Sequence, residues 1–218
     1  MKGNTLPILY SLRQCPYAMR ARMGLLLSKT PVLLRDIVMK NIPVEMLSVS
    51  AKGTVPVLLF EDSSVIDESL DIMIWALGKN DPDNLLYSHE PDAFPLMLEL
   101  IKRNDTEFVD SLNKYKAASR YHDVNEVVCR QECEPFISHL EQNLTEHAFL
   151  MGTTPSLADY AILPFIRQFS RVDRKWYLQS PYQNIQRWLE RHYQNPLFSK
   201  AMTKHAQWLD NKEDIVFE

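Results

Sequence analysis

The stretch Leu6–Met19, LPILYSLRQCPYAM, decides how the chain is read. Leu6 to Ser11 is an apolar run closed by a polar residue, the pattern of a short buried strand. Pro16 follows where the first turn of a helix tolerates proline, because the N–H at that position has no intrahelical partner. Met19, Met23, Leu26 and Leu27 then recur at helical spacing until Pro31 ends the segment. Cys15 therefore stands at the joint of a strand and a helix. Unpaired N–H groups and the positive end of the helix dipole favour an anion there, and Arg13 and Arg20 add positive charge nearby. A reactive thiol is one reading. A small buried filler is the other, since free cysteine is among the most buried residue types.

Working outward, Val32–Ile37 reads as a second strand, Val44–Val49 as a short helix, Val57–Phe60 as a third strand and Val65–Ile66 as a fourth. Leu70, Met73, Ile74 and Leu77 mark an amphipathic helix with Gly78 as its stop. The order β-α-β-α-β-β-α describes a small α/β domain with a mixed sheet. A boundary follows in Asn80–Pro95, NDPDNLLYSHEPDAFP, rich in Asp, Asn and Pro. Beyond it the periodicity is helical. One long segment carries Phe94 to Tyr115 and a second carries Val124 to Leu144. A third helix starts near Ser156 and holds Pro164, which should kink it; a fourth covers Ile185–His192 and a fifth carries Phe198, Met202, His205 and Leu209. The domains are 1–79, a linker at 80–92, and an all-α domain at 93–218.

Composition narrows the function. Of 218 residues only five are glycine (Gly3, Gly24, Gly53, Gly78, Gly152), where average usage would give about fifteen. Neither a G-x-G-x-x-G nor a G-x-x-x-x-G-K-[ST] pattern occurs, so the nucleotide-binding loops are excluded. Gly24 is expected to permit close packing of the first helix, Gly53 to permit the turn before Val55-Pro56, and Gly3 to lie in the tail. With a net charge of −4 and no basic block, nucleic acid is not an expected ligand. No apolar run spans a bilayer, and MKGNTLPILY has no long apolar signal core, so a cytoplasmic protein without membrane contact is expected. Three cysteines, Cys15, Cys129 and Cys133, make no disulfide framework.

Four segments carry a family resemblance. Cys15-Pro16-Tyr17-Ala18 after a first strand resembles the glutaredoxin active site with its second cysteine replaced by alanine. Ser50-Ala51-Lys52-Gly53-Thr54-Val55-Pro56-Val57-Leu58 is similar to the G-x-V-P-x-L element of cytosolic glutathione transferases. Val65-Ile66-Asp67-Glu68-Ser69 resembles their acidic-plus-serine turn, and Pro155-Ser156-Leu157-Ala158-Asp159-Tyr160 their capping segment. All four stand in family order, nearest to the cysteine-type, omega-like branch and its bacterial relatives. The resemblance implies a thioredoxin-like N-terminal domain followed by an all-helical bundle. It also implies a cis bond before Pro56, with Val55 offering its backbone to the cysteinyl part of glutathione. Glu68 would meet the γ-glutamyl ammonium, Ser69 the γ-glutamyl carboxylate, and Lys40 or Lys52 the glycyl carboxylate. Each has a plainer alternative: a proline opening a strand, and acidic residues capping a helix.

Other features read as structure. Ser156 and Asp159 have capping-box spacing. His122, Cys129 and Cys133 fall at spacings of seven and four, but Cys133 also continues an apolar stripe, and no metal is expected. Trp176, Tyr177 and Trp188 suit a bundle core or an acceptor pocket. The implied activity is that of a homodimeric enzyme taking glutathione as substrate rather than cofactor. Cys15 would act in thiol–disulfide exchange or deglutathionylation of an unidentified second substrate, and Ala18 leaves no resolving cysteine. Conjugation to electrophiles, supported by Tyr10, Ser11 or Tyr17, and a non-catalytic binding role are the alternatives.

Overall fold

A computed structural model describes residues 5–218. Gly3, read above as part of the tail, lies outside the described residues. In chain order the elements are β1 (Ile8–Ser11), α1 (Pro16–Leu27), β2 (Val32–Asp36), α2 (Val44–Leu47), β3 (Val57–Leu59), β4 (Val65–Ile66), α3 (Ser69–Lys79) and α4 (Ala93–Arg103). A π-helical turn (Asn104–Phe108) leads into α5 (Val109–Tyr121), followed by α6 (Glu126–Glu146), α7 (Leu157–Val172), α8 (Arg174–Gln179) and α9 (Gln183–Gln194). The chain ends in α10 (Pro196–Ala201), α11 (Trp208–Asn211) and β5 (Ile215–Phe217). Among the described residues no helix is long and apolar enough to cross a membrane.

The first compact unit joins residues up to Asp83 with Pro196–Glu218. Its sheet runs β4-β3-β1-β2-β5, with β1 and β2 parallel and every other pairing antiparallel. This is the expected thioredoxin-like mixed sheet with one strand more. β5 corrects the expectation of an all-α domain at 93–218. Ile215-Val216-Phe217 is a β-branched and aromatic run that finds the open edge of β2, pairing Val32 with Phe217 and Leu34 with Ile215. The predicted fifth helix is likewise broken. α10 ends at Ala201, and a non-helical link containing His205 leads to α11. Trp208 is held there between the cations of Arg35 and Lys212, 4.2 and 3.9 Å from its ring centre.

α1 is buried on every side from Ala18 to Leu27, including Arg20 and Arg22. It lies directly against α3: a Cβ built on Gly24 would stand 2.8 Å from the Met73 Cα. The near atom is backbone, so a methyl group there forces the helices apart. Gly24→Ala is therefore expected to destabilise the protein by about 2–4 kcal/mol despite alanine's better helix propensity. A urea titration that shows no loss would refute this close contact. Gly53 adopts φ +62°, the left-handed conformation needed in the turn before Val55. Gly78 does not stop α3, which continues to Lys79; the Asn80 side chain then turns the chain by donating to the Ser28 carbonyl at 2.9 Å.

The second unit, Asn84–Asn195, is all helical. Its centre is α7, whose capping box at Ser156 and Asp159 forms as predicted. Asp159 is fully buried, and its carboxylate accepts from Leu150 N (2.9 Å), Ser156 N (2.9 Å), Ser156 Oγ (2.7 Å) and Trp188 Nε1 (2.8 Å). Burial pushes its carboxyl group up, against the pull of these four donors. Trp188 and Tyr177 are bundle core, while Trp176 is half-buried under the Arg130 guanidinium. Val124 and Val127 are exposed, contrary to the predicted stripe, because α6 begins only at Glu126 and its inward face starts with Cys133. His122 caps the C-terminus of α5 in left-handed conformation, so it shares no helix with Cys129 and Cys133. Burial pushes the Cys133 thiol up to about 12, the state of a structural filler.

His192 supplies a pH test. It is 3% exposed and packs on Trp188, and burial lowers its imidazole to about 4 from an ordinary 6.5. The unfolded chain then binds a proton that the folded one refuses, so stability is full above about 6.5 and falls as pH drops toward 4. The loss attributable to His192 should approach about 3 kcal/mol. Denaturant unfolding at pH 7 and pH 4.5 should show it in the native chain and lose that component in His192→Leu. Equal pH slopes in the two proteins would refute it.

Candidate active site

The site is built on the first unit, where β1 hands over to α1. Ser11 ends β1; the chain turns so that the Cys15 N–H donates to the Leu12 carbonyl at 3.0 Å, and α1 starts at Pro16. Cys15 is the N-cap of this twelve-residue helix. No side chain caps it and no acidic residue stands in its first turn, so nothing there offsets the positive end of the dipole. The thiol is half-buried against the apolar cluster of Tyr10, Ala18, Ile37, Met46, Val55 and Val57. It donates to the Val55 carbonyl at 3.7 Å. The Val55–Pro56 bond is cis. Residues forty apart in sequence thus meet at one point: a thiol beside the backbone of the residue preceding a cis-proline.

Ser69 opens α3 and is buried; its Oγ accepts from Nη1 of Arg20 at 3.3 Å. Glu68 occupies the N-cap position without capping through its side chain. Glu68 is instead bound to Lys52, whose Nζ lies 2.7 Å from Glu68 Oε1 and 3.0 Å from Asp67 Oδ1. Asp67 also accepts from Ser50 Oγ at 3.1 Å, which ties the turn before Val55 to the start of α3. The hydrogen bonds that Lys52 donates to Glu68 and Asp67 raise its ammonium, and Lys52 in turn lowers Asp67. Lys40 sits apart. It is exposed in the turn between the bridged residues Val38 and Asn41, and among the described residues no hydrogen bond joins it to Cys15, Val55 or Ser69.

The sequence matches a family model for the glutathione S-transferase N-terminal domain over residues 9–84 and one for the C-terminal domain over residues 99–191. The chain belongs to the glutathione S-transferase superfamily. Solved structures agree on the fold. A Pseudomonas fluorescens Pf-5 glutathione transferase family member, solved with two glutathione bound, superposes with a TM-score of 0.79 at 18% identity, over 93% of this chain and 94% of that one. Poplar glutathione transferase F1 gives 0.75 at 19%, over 91% and 97%. Saccharomyces cerevisiae Gtt2 gives 0.70 at 21%, over 89% and 99%. No curated protein matches the sequence significantly.

In this glutathione S-transferase chain, sequence reasoning missed the buried charges behind the site: the link from Arg20 to Ser69, and Arg22 with Asp36. A signal was present. Leu25-Leu26-Leu27 beside Met19 and Met23 leaves α1 no polar face, so its arginines had to fall inside. The hydroxyls weighed for conjugation divide. Tyr10 is fully buried with its OH accepting from Arg35 at 2.8 Å, Ser11 is fully buried, and Tyr17 is half-buried.

Proposed function

We propose that the protein is a glutathione-dependent thiol transferase with Cys15 as its nucleophile. The observation that carries this reading is the Cys15 thiol at a helix N-terminus, 3.7 Å from the Val55 carbonyl. Val55 would pair its backbone with the cysteinyl part of glutathione, bringing the glutathione sulfur to Cys15. The γ-glutamyl carboxylate would sit at the start of α3, met by its N–H groups and Ser69, with the Arg20 guanidinium behind. The γ-glutamyl ammonium would compete with Lys52 for Glu68, and Lys40 or Lys52 would meet the glycyl carboxylate. The glutathione-bound Pseudomonas relative supports a glutathione site on this fold.

The chemistry is a two-step exchange. The Cys15 thiolate attacks the glutathione sulfur of a mixed disulfide, forming a Cys15–glutathione disulfide and releasing the other thiolate, which takes up a proton. A second glutathione thiolate attacks that glutathione sulfur, leaving oxidised glutathione and restoring Cys15. Overall the mixed disulfide is reduced to its free thiol, one free glutathione is consumed and oxidised glutathione is formed. Ala18 stands where a resolving cysteine would, so the second glutathione is required. Assays of disulfide exchange and of electrophile conjugation on the native chain and Cys15→Ala test the reading. Exchange lost with Cys15 supports it, conjugation as the only activity and retained in Cys15→Ala points to an ordinary conjugating transferase, and failure of the native chain to bind glutathione overturns both.

A further inference from the structure

In the helical unit, the C-terminal parts of α5 and α7 open onto a groove that the reading above does not use. Its cavity is about 330 Å³, at the small end of the range for ligand sites. α5 presents Lys116, Ser119 and Arg120, which stand at i, i+3 and i+4 and so share one face. α7 presents Arg167, Gln168 and Arg171, with the two arginines again four apart on one face. Lys116 Nζ crosses from one helix to the other and donates to Gln168 Oε1 at 3.1 Å. Lys116, Ser119, Arg167 and Gln168 are half-buried and form the inner part of the groove, while Arg120 and Arg171 are exposed at its rim.

Four cations therefore meet on one cavity, and among the described residues no carboxylate lines it. In a chain of net charge −4 this is a local reversal of sign. A groove on α8 and α9 shows the contrast, since there Arg187 and Arg191 are accompanied by Glu190. Arg120 and Arg171 lie in the last turns of their helices, where the dipole favours a cation. That accounts for two of the charges but not for Lys116 and Arg167, one turn deeper. Among the described residues neither rim arginine is hydrogen-bonded or paired with an acid. Like charges gathered on one cavity repel each other, and an anion between them removes that cost.

We propose that the groove between α5 and α7 is a second binding site, for a compact polyanion bearing two or more phosphate or carboxylate groups. The arginine forks match the paired oxygens of such groups, Lys116 adds a point charge, and the Ser119 hydroxyl can donate from within. Val172 is the one apolar side chain on the cavity among the described residues, and no ring lines it. Nothing there would stack on a nucleobase or another aromatic group, so the charge itself is what the site recognises. The inference does not depend on the thiol-transfer reading.

Titration calorimetry of the full chain with pyrophosphate and with citrate, at low ionic strength, tests the proposal. The native chain should bind at least one of them with a dissociation constant below about 1 mM. Binding of pyrophosphate alone supports the site and assigns it a phosphate ligand; binding of citrate alone supports it and assigns a carboxylate ligand. Arg120→Gln combined with Arg171→Gln should weaken the binding at least about tenfold. Lys102→Gln combined with Arg187→Gln removes the same charge from exposed positions outside the groove and should leave the affinity within about twofold. No binding of either anion by the native chain overturns the proposal. Equal weakening in the two double variants also overturns it, because the attraction is then diffuse. If the Arg120 and Arg171 double variant does not fold, Arg171→Gln alone decides: binding about threefold weaker supports the site, and unchanged binding overturns it.

Discussion

Cys15→Ala is expected to abolish glutathione–disulfide exchange, leaving at most about one hundredth of native turnover. Exchange requires a thiolate within bonding distance of the bound glutathione sulfur, and in the proposed site Cys15, beside the Val55 carbonyl, supplies it. The same change should alter glutathione affinity less than about threefold, because the peptide's carboxylates and backbone are held elsewhere. Stability should fall by less than about 1 kcal/mol, since a half-buried sulfur leaves only a small gap. Turnover, equilibrium binding and thermal unfolding measured together check the pattern. Retained exchange would remove Cys15 from the mechanism, and lost binding would show that the thiol holds glutathione rather than reacts with it.

Asp159→Ala is expected to lower unfolding stability by about 4–6 kcal/mol and the thermal midpoint by more than about 10 °C, with little change in glutathione affinity of the protein that does fold. Truncation strands four donors, from Leu150, the two groups of Ser156, and the Trp188 indole, in a dry interior. It also opens a cavity between α7 and α9. Asp159→Asn separates the causes. The amide keeps the volume but turns an NH2 donor toward one of the two donor pairs, so it should cost most of the same stability. An Asn variant near native stability would show that volume rather than acceptor capacity matters. A loss confined to glutathione binding would show that the segment belongs to the site.

Much of the fold was legible from local pattern. The strands β1 to β4, α1, α3 and the start of α7 follow from period, proline and capping chemistry, each of which acts within a few residues. The terminal segment was not. Ile215–Phe217 is too short to announce a strand, and it becomes one because β2 offers an unpaired edge. The broken helix at 198–209 has the same origin: helical spacing there is outweighed by docking of Trp208 between Arg35 and Lys212.

The site divides along the same line. Local sequence was enough to place a cysteine at the start of a helix, a Val-Pro pair after a glycine turn, and an acidic-serine turn at the opening of α3, because each is a property of neighbouring residues. That Cys15 touches Val55, that Glu68 is held by Lys52, and that Ser69 is backed by Arg20 came from tertiary packing alone. The same packing buries Arg22 beside Asp36. These are long-range encounters between charged or polar groups, and sequence period carries no information about which of them meet: burial is set by how α1 packs against the sheet and α3, and only then does the charge on a given arginine have a partner to find.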